Sequence, residues 1–182
     1  QSGALHHARS VDAVEFVDPR KPEQGLLFDG RVAEDFKLTT GTWVHVGSLR
    51  VAGIDALSPV AQDIAVTGHD RDEIGFLVFP NMSECRRLAG LAIDAPADQV
   101  LGHPMVKERV REGLLRMRRE GGGSSTYPSR VLLMAEPPST EAGEITDKGY
   151  INQRAVLTRR ADLVVHLYSD VPDSGVITLG AT

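Results

Sequence analysis

The middle of the chain holds the pattern that most restricts its fold. Ala61-Gln-Asp-Ile-Ala-Val-Thr67 and Glu73-Ile-Gly-Phe-Leu-Val-Phe79 are short runs with strand character. A polar turn, Gly68-His69-Asp70-Arg71-Asp72, separates them, and Pro80 closes the second. Two such runs joined by turn residues read as a hairpin. Arg130-Val-Leu-Leu-Met-Ala135, ended by Pro137-Pro138, reads as a buried strand. Helical periods lie around these runs. Ser48 to Leu57 carries Leu49, Ile54 and Leu57 as apolar contacts. Asn81 or Ser83 can cap a helix running to about Ala92. Pro104 suits the first turn of the clearest helix, in which Val106, Val110, Leu114 and Met117 recur at helical spacing. Its other face carries Lys107, Arg111, Arg118 and Arg119, which read as a solvated surface. Asn152 can cap a last helix with Val156, Leu157, Val164 and Leu167 inward. Strands and helices mix without regular βαβ alternation, so the expected class is α+β, a small sheet plus hairpin flanked by helices.

At 182 residues the chain fits one domain, or one with an embellishment. With 41% hydrophobic and 25% charged residues it can bury a core. A net charge of −5 gives no reason to expect nucleic acid or an anionic membrane as partner. The one cysteine, Cys85, excludes an intrachain disulfide and a cysteine-based zinc cluster, and fits a reducing, cytoplasmic setting. No run approaches the length of a membrane-spanning helix. Gly-rich phosphate loops, H-E-x-x-H and G-x-S-x-G are absent. The histidines do not pair at ligand spacing, so no metal site is expected. Residues 1–11 lack a signal-peptide core and read as linker or expression-derived sequence. Gly25-Leu-Leu-Phe28 runs into Asp29-Gly30, which reads as a hairpin turn, so 12–29 is expected to form a hairpin before a domain spanning 30–170. Residues 121–126 read as a flexible surface connection. Residues 171–182, with Pro172, Asp173 and Gly175, read as an irregular tail.

Two stretches carry possible chemistry. In Glu144-Ile-Thr-Asp-Lys-Gly-Tyr-Ile-Asn-Gln-Arg154, the segment Asp147-Lys148-Gly149 has the composition of a tight turn with a lysine at its tip. Taken alone, that lysine is either a solvated charge or a positioned cation. In Phe28-Asp-Gly-Arg-Val-Ala-Glu-Asp-Phe-Lys-Leu-Thr-Thr-Gly-Thr-Trp-Val44, a Gly-Arg pair leads through acidic residues to Lys37 and then Gly41. A glycine within a strand-like pattern marks a bulge or a close approach to the backbone. Together the two stretches resemble the C-terminal domain of adenylate-forming enzymes, and among these the feruloyl-CoA synthetase branch. The resemblance spans roughly residues 12–168. Residues 82–123 carry no signature of that family, and Lys148 precedes Gly149 where the family's lysine follows a glycine.

The resemblance implies a mobile small domain that works with a large N-terminal AMP-binding domain on ATP (with Mg), coenzyme A and an aromatic carboxylic acid such as ferulate. It implies that Lys148 is the catalytic lysine of adenylation. It implies hinge candidates at Ala33, Glu34 and Asp35, ribose or phosphate contacts at Asp12 and Arg31, an anion contact or strand-edge charge at Lys37, and a coenzyme A channel face at Gly41 and Thr42. Two other readings stand beside it: a stand-alone module that docks on a separate adenylating domain or carrier protein, and an unrelated small enzyme using Lys148 as base or nucleophile. Trp43 reads as a core or interdomain aromatic. Of the histidines only His45, close to Gly41, is worth a test.

Overall fold

Alternate residues of a strand face opposite sides, and in the central strands of this protein both sides are apolar. That pattern demands cover on two faces. In the computed structural model the described residues are 12–16, 26–31 and 34–180, the first two stretches by backbone alone. The described strands are β1 (Asp12–Phe16), β2 (Leu26–Arg31), β3 (Phe36–Lys37), β4 (Trp43–Val44), β5 (Ala61–Thr67), β6 (Gly75–Pro80), β7 (Arg130–Leu133) and β8 (Val176–Thr178). The helices are α1 (Val46–Ala56), α2 (Met82–Ala89), α3 (Ala97–Gly102), α4 (Pro104–Glu120), α5 (Gln153–Arg159) and α6 (Ala161–Leu167). The expected linker 1–11, the turn signals between Asp18 and Pro22, and Ala33 lie outside the described residues.

Strands β5-β6-β7-β8 form one sheet in that order, with β6 and β7 parallel and the outer pairs antiparallel. Ile64, Val66, Phe76, Val78, Val131 and Ile177 point to one face, where they share a core with α1, α3 and α4. Ala65, Leu77, Phe79, Leu132 and Val176 point to the other, where they meet Val156 of α5 and Leu167 of α6. The result is a mixed α/β domain, a small sheet between two helical layers. Residues 82–123 supply most of one layer as the crossover from β6 to β7. The hairpins β1–β2 and β3–β4 are separate two-stranded pieces.

Four local expectations change. Asp29-Gly30 is no turn but part of β2, whose register with β1 sets Arg31 opposite Asp12. The tail expected to be irregular contains β8, because Val176 and Ile177 find apolar places beside β7. Helix α1 begins at Val46 rather than Ser48, since the Asp35 carboxylate accepts the Val46 N–H at 2.9 Å. The last helix breaks at Arg160, which leaves helical geometry (φ −103°, ψ 30°) and turns its side chain into a buried ion pair described below.

Helix α4 crosses α1 at Gly113. A Cβ there would meet the Ala56 carbonyl oxygen at 2.5 Å, a backbone atom with nowhere to go. Gly113→Ala is therefore expected to lower the urea midpoint. Overpacking costs about 1–3 kcal/mol, more than the roughly 1 kcal/mol that alanine gains over glycine in a helix. An unchanged or raised midpoint would show that α1 and α4 separate without cost.

Candidate functional site

Lys148 sits at the tip of a small closed loop. The Asn152 N–H donates to the Glu144 carbonyl at 2.8 Å, Ile145 bridges Ile151, and the Thr146 N–H donates to the Tyr150 carbonyl at 2.8 Å. The Gly149 N–H returns to the Thr146 carbonyl at 2.9 Å, with Gly149 at φ +80°, which glycine adopts without steric cost. The turn read from the sequence is thus present. The Lys148 side chain is exposed and has no ion-pair partner among the described residues. An exposed lysine weighs against the reading in which burial converts it to a base or nucleophile.

The base of this loop is held more firmly than its tip. Glu144 is fully buried. Its carboxylate accepts from Arg160 Nε at 2.7 Å and Nη2 at 2.9 Å, from the Ser139 N–H at 2.8 Å and from Arg159 Nη1 at 3.2 Å. Arg160 also donates to the carbonyls of Glu136 (3.0 Å) and Pro137 (2.9 Å) and lies 4.9 Å over the Phe79 ring. The hydrogen bonds from Arg160, with help from Ser139 and against the cost of burial, hold the Glu144 carboxyl down to about 2. After the loop, Asn152 caps α5 by accepting the Ala155 N–H at 3.2 Å. The buried Gln153 amide bonds both the N–H (2.9 Å) and the carbonyl (2.5 Å) of Val66 on β5.

The second stretch forms the hairpin β3–β4. Gly41 is in its turn, at φ +83° with open space where a Cβ would be, and not in a strand bulge. Thr42 faces solvent, and its hydroxyl lies 3.2 Å from that of Thr40. Lys37 stands opposite Trp43, with Nζ 4.9 Å from the ring centroid. Thr39 ties the hairpin to the β5–β6 turn, through its N–H to the Arg71 carbonyl at 2.9 Å and its hydroxyl to Asp72. Of the hinge candidates, Asp35 is anchored: one oxygen takes the Val46 N–H and the other lies 3.0 Å from His45 Nδ1. His45 thereby belongs to this anchor. Asp12 and Arg31 are backbone register partners across β1–β2.

An open groove of about 790 Å³ separates the hairpin side from α5 and α6; Asp35, Phe36, Arg71, Gln153, Leu157 and Val164 are among its walls. The structure thus groups Lys37, Gly41 and Thr42 on one hairpin and Asp12 with Arg31 on another, while Lys148 stands on a third element. Cys85 is buried, and burial pushes its thiol up to about 11, a chemically quiet position. Among the described residues no cluster of three or more His, Cys, Asp or Glu side chains is placed to hold a metal ion, and no helix is long and apolar enough to cross a membrane.

Glu144, Arg160 and Gln153 do not stand out in the sequence as site residues. One signal was available. Arg160 falls four residues from both Val156 and Val164, on the inward stripe of the last helical pattern. An arginine on that stripe needs a buried anion, and the acidic residue that opens the lysine motif is Glu144.

The mixed α/β fold is shared with part of several solved adenylation domains and an acid ligase. The adenylation domain of a carboxylic acid reductase from Segniliparus rugosus, solved with AMP and a co-purified carboxylic acid, matches 87% of this chain and 23% of its own at TM-score 0.65 and 24% identity. That of a carboxylate reductase from Mycobacterium chelonae matches 88% of this chain and 23% of its own at 0.64 and 22% identity. Coronafacic acid ligase from Pectobacterium brasiliense matches 93% and 25%, at 0.51 and 16% identity. The chain spans about a quarter of the length of these solved chains. The matched share is too large to leave out the whole of 82–123, so the segment without a family signature belongs in part to the shared fold. No family model matches the chain, and no match was found among curated proteins.

Glu144→Gln would remove one charge from the buried pair and leave Arg160 uncompensated, a loss of about 3–5 kcal/mol. Because folding lowers the Glu144 pKa from an ordinary 4.5 to about 2, the stabilisation is fully present above about pH 4.5 and disappears as pH falls toward 2. The difference in urea midpoint between wild type and Glu144→Gln should therefore shrink across that window. A difference independent of pH would mean that the carboxylate charge contributes nothing.

Proposed function

We propose that this chain is the mobile C-terminal domain of an ATP-dependent acid–CoA ligase of the feruloyl-CoA synthetase type. The observation that carries the reading is Lys148: a fully presented lysine at the tip of a loop whose base is fixed by a buried ion pair, on the fold of adenylating enzymes. The adenylate-binding domain would be a separate, larger unit, which fits a chain spanning about a quarter of its structural neighbours.

In the first half-reaction a carboxylate oxygen of the acid attacks the α-phosphorus of ATP, forming the acyl–AMP bond and releasing pyrophosphate. Negative charge builds on the phosphoryl oxygens. Lys148, a compact cation with three donors, bridges these oxygens and the attacking carboxylate. Its exposure in the lone chain suits a group that meets its ligand only when the large domain closes over the nucleotide. In the second half-reaction a thiolate attacks the acyl carbonyl and AMP leaves. The Gly41 turn, without a side chain and open on its outer side, lets a pantetheine arm approach, with Thr42 beside it. Lys37, Arg31 and Asp12 would contact phosphate or ribose. Ala33, Glu34 and Asp35 are the pivot candidates, and Asp35 is the point at which this segment is tied to α1. A domain rotation between two half-reactions is a gating motion of a known kind.

A second reading concerns the thiol acceptor. The neighbours with the higher TM-scores are carboxylic acid reductase adenylation domains, and one of them was solved together with a PCP domain. A carrier-bound thiol would use the same Gly41 face as free coenzyme A. The two acceptors are separated by offering each to the same preformed acyl-AMP.

The test joins or mixes this chain with a large adenylating domain and follows both half-reactions with ATP, ferulate and coenzyme A. Lys148→Ala is expected to slow pyrophosphate release by on the order of 10²–10³ and to spare thioester formation from preformed feruloyl-AMP. Turnover indifferent to Lys148 would remove the lysine from the mechanism.

A further inference from the structure

Large aromatic side chains are normally placed where they are covered. Among the residues whose side chains are described, Phe36, Phe76 and Phe79 are buried and Tyr127 and Tyr168 are half-covered. Two aromatics break the rule: Trp43, 54% exposed, and Tyr150, 60% exposed. Their positions are alike. Trp43 follows Gly41 by two residues, and Tyr150 follows Lys148 by two.

Neither ring is needed by the fold that carries it. Tyr150 serves the lysine loop only through its backbone, whose N–H donates to Thr146 Oγ1 at 3.2 Å and whose carbonyl accepts from the Thr146 N–H. Trp43 pairs with Lys37 across β3–β4, and Lys37 Nζ steadies one face of its indole while the rest faces solvent. The Trp43 ring is thus held in place before any partner arrives, which lowers the ordering cost of association, and the Tyr150 ring is carried on a closed, hydrogen-bonded loop. Tryptophan and tyrosine are the side chains most enriched among the few that dominate binding energy at protein interfaces.

We propose that Trp43 and Tyr150 are docking anchors that seat this chain on the large adenylate-binding domain in two alternative orientations. Tyr150 is buried against that domain when Lys148 faces the nucleotide, and Trp43 is buried when the Gly41 turn does. The inference rests on the functional reading above. The partner is argued from the share of the structural neighbours that this chain represents: about three quarters of each neighbour lies beyond the matched domain.

The experiment uses the chain joined to the large domain that the functional reading requires, and begins with the wild type. Failure of wild type in both half-reactions defeats the functional reading and takes this inference with it. With an active wild type, pyrophosphate release from ATP and ferulate is compared with thioester formation from synthetic feruloyl-AMP and coenzyme A. Tyr150→Ala should slow the first by about 30-fold more than the second, and Trp43→Ala should do the reverse, the size of a typical interface anchor. Tyr150→Phe and Trp43→Phe should recover most of each loss. The thermal midpoint of the isolated chain should be unchanged in both alanine variants. A fallen midpoint would make the rings structural and overturn the proposal. So would equal losses in both half-reactions, no loss in either, or self-association of the isolated chain that Trp43→Ala abolishes, which would assign that surface to a second copy.

Discussion

The ion pair of Glu144 and Arg160 holds one side of this domain together. It joins the first residue of the lysine loop to the break between α5 and α6, and through the carbonyls of Glu136 and Pro137 it fixes the segment leaving β7. Two charges taken from water would be a liability by themselves. Here every strong donor of the guanidinium that meets the site finds an acceptor, and the carboxylate collects four donors. A fully satisfied network of this kind tolerates little rearrangement. The exposed tip at Lys148 is therefore a presented group on a rigid mount, not the end of a loose loop.

The lysine loop and the β3–β4 hairpin are far apart in sequence, yet one is fastened to β5 and the other to the turn that follows it. Gln153 binds Val66 on β5, and Thr39 binds the Arg71 carbonyl in the turn between β5 and β6. Asp35 adds a tie from the hairpin to the start of α1. Neither element needs to deform for its tip to be presented. Each is held by a few named side chains, Glu144, Arg160 and Gln153 for the loop and Asp35 and Thr39 for the hairpin.

Much of this was legible in the sequence. The apolar runs of β5, β6 and β7 and the caps Asn81 and Asn152 depend on neighbours a few residues away, and local pattern finds such features. What stayed hidden depends on distant parts of the chain. Helix α1 starts early because Asp35, eleven residues before it, caps Val46. The tail folds as β8 because β7 offers it an edge. Asp29-Gly30 has turn composition but lies within a strand paired to β1, where partner pairing overrides local preference. Lys148 was legible as a turn residue, whereas Gly41, which reads as a glycine within a strand, proves to be the turn of a hairpin, and the exposure of Trp43 and Tyr150 required the packed structure.

The bond between Gln153 and Val66 has a consequence for life in crowded solution. β5 is the outer strand of the four-stranded sheet, and the outer side of such a strand is a template on which another chain can add itself. At Val66 the donor and the acceptor that would begin such an addition are both taken by one side-chain amide, which imitates the missing neighbour strand. The residue that secures the lysine loop therefore also guards the sheet against unwanted recruits.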